Sequence, residues 1–219
     1  MRSFLKTFIF LILLTLYGLN IPRQRWLKRR LKDNINLNLK ATAENISLML
    51  LPAKKVIVRG DTALLKKGAI LYSIHFGTWE LMPKILKTHL HDREIGILVE
   101  RYTQTNPWWV GKFLDRIFYY LRNSPKIKIF YPDEIFKIVD FIKKAGIFSV
   151  LVDGDNPFAK LEKIKRLAHL CCVPLIPFAV YHENGTHILE IGCDLKQLLR
   201  ERSADYWWFY KSRRHYFYG

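Results

Sequence analysis

From residue 56 onward the chain alternates two textures. Short apolar runs at 56–58, 69–74, 95–99, 127–130, 147–152, 175–180 and 188–191 read as strands. Between them, apolar residues recurring at helical spacing predict helices over 80–90, 107–122, 133–145, 159–171 and 195–201. Strands alternating with helices define an α/β domain around a mixed, largely parallel sheet flanked by helices. The tetrapeptide Glu183-Asn184-Gly185-Thr186 is a hairpin-turn signal, so some antiparallel pairing is expected there.

The first 55 residues have a different pattern. An apolar run from Phe4 to Leu19 is broken only by Lys6, Thr7, Thr15 and Gly18. Sixteen helical residues cover about 24 Å, against about 30 Å of bilayer hydrocarbon, and extension toward Pro22 narrows the gap. Residues 1–21 are therefore expected to form an N-terminal membrane-anchoring helix, with spanning and shallow insertion both open. Tyr17-Gly18-Leu19-Asn20 offers no small-x-small cleavage site, which argues against a signal peptide. Between Trp26 and Leu51, near-helical spacing predicts one or two further helices beside the anchor, ending at Pro52.

At 219 residues, half of them hydrophobic, the chain is long enough for one well-buried domain, and no repeat, linker or second domain is visible beyond the anchor. Twenty Gly and Pro residues exclude collagen-like or low-complexity character. A net charge of +17 points to polyanionic company. Its distribution narrows the choice, because residues 1–60 hold twelve Lys and Arg against Asp33 and Glu44, a local +10. Arg23, Arg25, Lys28, Arg29, Arg30 and Lys32 follow the anchor, with only Arg2 and Lys6 before it. The positive-inside rule then sets the body of the chain in the cytoplasm, and the clustering favours an anionic membrane surface over nucleic acid. The adjacent Cys171 and Cys172 and the solitary Cys193 form neither a disulfide framework nor a CxxC metal spacing, so a reducing compartment is the simpler reading.

Candidate chemistry concentrates in His75-Phe76-Gly77-Thr78-Trp79-Glu80-Leu81, where a buried strand ends and a helix begins. On one helix, residues five apart would diverge by about 140°, whereas across a strand-to-helix turn His75 and Glu80 can meet. A carboxylate on one imidazole nitrogen fixes the tautomer and leaves the other as general base for a hydroxyl. With 19 acidic residues and seven histidines, one accidental HxxxxD/E is roughly an even chance, and His89 also has Glu94 five residues on. His75 differs by ending an apolar strand, where open α/β sheets place ligand and catalytic groups. His89 and His91 form an HxH pair with no further ligand set.

The block His75 to Leu81 closely resembles the HFGNWEL block of the lipid A biosynthesis acyltransferases, the lauroyl and myristoyl transferases within the lysophospholipid acyltransferase superfamily. Other blocks resemble that family in order: Arg101 to Pro107 its RPxxNP, Leu114-Asp115-Arg116 with Leu121-Arg122 its LDRLIxxLR, and Leu151-Val152-Asp153-Gly154-Asp155 its LxDQD. Arg166-Leu167-Ala168 before Val173-Pro174 resembles RLAxxxGxPVxP, and 206–214 resembles the family's aromatic and basic close. The chain departs from the pattern with one extra residue before Asn106, Gly154 for glutamine, Cys172 for a glycine, and a short basic stretch at 156–165 in place of a longer loop.

The resemblance implies an acyltransferase domain over 22–219, its first part, 22–55, a basic membrane-proximal region. The implied reaction moves a fatty acyl chain from acyl carrier protein or coenzyme A to a hydroxyl of a lipid A precursor or related glycolipid, without metal or other cofactor. His75 would be the base and Glu80 its orienting carboxylate, with oxyanion donors sought among the backbone N–H groups around Gly77. Arg101, Asn106, Arg116, Arg122, Asp153 and Asp155 would bind or shape the substrate site. The implied location is the cytoplasmic face of a bacterial inner membrane. A lysophosphatidic acid type acyltransferase and a noncatalytic protein binding anionic lipid stay open as alternatives.

Overall fold

The computed structural model describes residues 2–18, 35–50, 55–90, 92–101, 108–154 and 156–206. Seven strands form one sheet: β1 (Val56–Arg59), β2 (Ala69–Ser73), β3 (Ile95–Leu98), β4 (Ile127–Phe130), β5 (Ile147–Leu151), β6 (Leu175–Glu183) and β7 (Thr186–Ile191). Their order across the sheet is β1-β7-β6-β2-β5-β3-β4. Among the described strand pairs only β6–β7 is antiparallel, and it closes through the expected turn, with Asn184 and Gly185 both at positive φ. Each apolar run read from the sequence is a strand, and the α/β architecture with a mixed, mostly parallel sheet is as expected.

Helices cover both faces. On one side lie α3 (Met82–His89) and the N-terminal pair α1 (Arg2–Gly18) and α2 (Ile35–Leu50), of which α1 packs on α2. Here Leu48, Leu71, Leu81, Leu86, Phe178 and Leu189 form one continuous buried cluster. On the other side Ile70, Phe141, Phe148, Val150 and Ala168 form a second cluster beneath α5 (Ile135–Lys143), α6 (Leu161–Cys171) and α7 (Leu195–Glu201). The alternation of Ile70 and Leu71 between the clusters is strand periodicity expressed in packing. Because β2 is buried on both faces, it reads as an unbroken apolar run. Helix α4 (Trp108–Arg122) precedes β4 at the sheet's edge and touches α2.

The expected membrane anchor over residues 1–21 is not confirmed, and residues 19–21 lie outside the described residues. Helix α1 has 17 residues, about 26 Å, and among the described residues no helix is long and apolar enough to cross a membrane. Lys6 forms an ion pair with Glu44 of α2. The basic segment at 23–32 lies outside the described residues.

Cys172 stands where the resembled pattern has a glycine, and the backbone gives a reason for glycine at this position. It terminates α6 in the left-handed region, φ 53° and ψ 41°, the position glycine usually takes after a helix. A side chain there costs about 1–2 kcal/mol, and glycine's extra freedom in the unfolded chain gives back about 0.4–1 kcal/mol. Cys172→Gly is therefore expected to stabilise the fold slightly, seen as a higher urea midpoint with unchanged slope.

Candidate active site

The site begins with register. Strands β2 and β5 are parallel neighbours with Ser73 opposite Leu151, and Val152 N–H donates to Ser73 O at 2.8 Å. Two residues further along both strands stand His75 and Asp153, 78 positions apart in sequence. His75 Nδ1 lies 2.8 Å from Asp153 Oδ1 and 3.0 Å from Oδ2, and the His75 backbone N–H donates to Oδ2 at 3.1 Å. The Asp153 side chain is fully buried and that of His75 is 24% exposed, so the imidazole can be reached while its carboxylate partner is shielded. With Nδ1–H donating to Asp153, the lone pair resides on Nε2. Trp79 meets the imidazole edge-on, ring centroids 4.9 Å apart.

Glu80 has a different role from the one expected. The carboxylate on His75 Nδ1 is Asp153, whereas Glu80 takes a bidentate pair from Arg122, Nε to Oε2 at 3.1 Å and Nη2 to Oε1 at 2.5 Å. Both side chains are 13% exposed. Burial pushes the Glu80 carboxyl up, but the Arg122 charge and hydrogen bonds outweigh it, with His75 and Lys84 adding to the effect, and the net shift is downward. Arg122, expected at the substrate site, pairs instead with Glu80.

The turn between His75 and Glu80 is clamped from four sides. Gly77 has φ +57°, and a Cβ there would lie 2.1 Å from Val180 O, so backbone passes where no side chain fits. Gly77 N–H donates to Asp205 O at 2.8 Å and Thr78 N–H to Val180 O at 2.7 Å. Both donors are therefore engaged, which corrects the expectation that they serve an oxyanion. Asn45 of α2, buried, donates to Gly77 O at 3.0 Å and accepts from Glu80 N–H at 3.4 Å. Thr78 Oγ1 lies 3.2 Å from Nδ1 of the buried His187.

The remaining candidates divide. Arg101, just past the carboxyl end of β3, stacks over Tyr131 at 3.7 Å and lies 3.4 Å from Asp133, on the rim that carries His75 and Asp153. Arg116 is exposed on α4 and is not brought into the dyad. Asn106 and Asp155 lie outside the described residues, as does His91. Among the described residues no group of His, Cys, Asp or Glu is arranged to hold a metal ion. Sequence reasoning missed Asn45 and His187, which carry no motif; only their burial beside the turn reveals them.

No model of a known protein family matches this chain, and no curated protein matches it either.

Proposed function

We propose that the chain is a membrane-attached O-acyltransferase, moving a fatty acyl group from a thioester of acyl carrier protein or coenzyme A to a hydroxyl of a lipid A precursor or related glycolipid. The observation that carries this reading is the His75–Asp153 pair at the carboxyl ends of adjacent parallel strands, which joins two sequence blocks resembling the acyltransferase family, His75 in the first and Asp153 in the second. In this reaction His75 Nε2 takes the proton of the acceptor hydroxyl as its oxygen attacks the thioester carbonyl. Asp153 stabilises the imidazolium that forms. Collapse of the tetrahedral intermediate breaks the C–S bond, and the departing sulfur receives the proton from His75. No nucleophile on the enzyme is required.

The exposed face of α1, with Phe4, Phe8, Leu11 and Ile12, supports attachment to a bilayer by shallow insertion. The +17 charge suits both phosphorylated acceptors and anionic headgroups at the cytoplasmic face.

The test is mass spectrometry of lipids after incubation of the reconstituted protein with mixed acyl carrier protein and coenzyme A thioesters and a panel of acceptors. The reading expects one acceptor to gain the mass of one acyl chain. If a lysophospholipid alone gains it, the glycolipid assignment is wrong; if no lipid does, acyl transfer itself is refuted.

A further inference from the structure

Helix α4 is turned inside out for a helix facing water. At about 100° per residue, Phe113, Ile117 and Tyr120 fall within an arc of about 60°. Phe113 is 63% exposed and Tyr120 80%, and Ile117 is also exposed. The opposite side, about 160–180° from Phe113, holds buried Gly111 and the largely buried Arg122, the latter paired with Glu80. The apolar stripe therefore points away from the protein while a guanidinium points in, reversing the usual amphipathic order. Exposed Lys112 and Arg116 flank the stripe on one side.

We infer that α4 is a second membrane-docking element, whose Phe113, Ile117 and Tyr120 enter the interface of an anionic bilayer while Lys112 and Arg116 meet its headgroups. Three features select a bilayer as the occupant. The stripe is convex, with rings standing out of the surface, so it suits a soft apolar phase that needs no matching groove. Its flanking charges are positive, complementary to an anionic leaflet. Helix α2 touches both α4 and α1, and α1 bears its own exposed apolar stripe, so two such stripes flank one element. Because Arg122 on the same helix grips Glu80, docking would set the catalytic turn directly beneath the lipid surface. The inference rests on the proposed membrane setting and is independent of the acyl-transfer chemistry.

The experiment uses the full chain with Cys172→Ser, labelled with the environment-sensitive dye NBD at Phe113→Cys, Ile117→Cys or Tyr120→Cys in turn. Lys163→Cys, exposed on α6 across the sheet, is the control. Vesicles of phosphatidylethanolamine and phosphatidylglycerol, with or without brominated acyl chains, are added. Expected are a blue shift and bromine quenching at the three α4 positions and neither at the control. Lys112→Gln and Arg116→Gln should each weaken binding to anionic vesicles roughly fivefold. Cosedimentation without quenching on α4 would leave α1 as the only attachment and overturn the inference, as would absence of cosedimentation. A concentration-dependent blue shift without vesicles would assign the stripe to a second copy, and a shift only on adding acidic acyl carrier protein would assign it to that partner; either overturns membrane docking. None of these readouts depends on turnover, so failure of the acyl-transfer reading would register separately, in the lipid products.

Discussion

Asp153→Asn is expected to lower kcat for acyl transfer by about 10²–10⁴-fold while leaving KM nearly unchanged. The geometry specifies how. The His75 backbone N–H donates to Asp153 Oδ2, so an asparagine at 153 would keep its oxygen on that donor and turn its amide nitrogen toward Nδ1. Nδ1 would then have to accept, the ring proton would move to Nε2, and the base would lose its lone pair on the side facing substrate. Size and burial barely change, so the folded state should persist, and urea unfolding of the variant checks that it does. A variant that folded normally and kept near-normal kcat would show that Asp153 only fills space.

The second large effect falls on stability and follows from the Glu80–Arg122 pair. Removing one partner of a fully buried ion pair costs about 3–5 kcal/mol, and this pair, with both side chains 13% exposed, should approach the lower end of that range. Glu80→Gln and Arg122→Met are each expected to unfold at markedly lower urea, whereas the double variant should lose much less than the sum of the two. The pH dependence has a definite sign. Glu80 is held below its ordinary range in the folded protein, so its contribution is complete above the unfolded carboxyl's pKa, about 4.3, and is lost as pH falls through the lower folded value. In Glu80→Gln this part of the acid-limb loss should vanish. Additive single effects with an unaltered acid limb would mean that the pair contributes no coupling.

These two expectations also separate roles that a motif merges. The HxxxxE spacing brought His75 and Glu80 to attention, and both belong to the site. Their division of labour depends on strand register and helix packing, which spacing along one segment does not encode. Asp153 was recognisable as the end of a buried strand, yet its placement beside His75 requires knowing that β2 and β5 are parallel neighbours paired Ser73 to Leu151. Arg122 was expected at the substrate because its block resembles the family's, and that resemblance says nothing of its side-chain partner. The partner lies 42 residues away.

The fold was more legible than the site. Buried parallel strands leave unbroken apolar runs, and their covering helices leave a 3.6-residue period, so β1 to β7 and α3 to α7 were all visible. Asn45 was not, since a polar residue in a helix becomes meaningful only once the Gly77 carbonyl is known to lie 3.0 Å away. Donor availability at the turn was equally hidden. That Gly77 and Thr78 spend their N–H groups on Asp205 and Val180 depends on chain crossings more than a hundred residues distant.

The account stands most directly on the His75–Asp153 dyad. The measurement that tests it is the single-turnover rate of acylated lipid formation for wild type, His75→Ala and Asp153→Asn, each confirmed folded, with saturating thioester and the acceptor found active. The dyad predicts that wild type forms product and that both variants are slower by about 10²-fold or more, with the loss in the chemical step. Wild-type rates in His75→Ala, with or without a defect in Asp153→Asn, would contradict it.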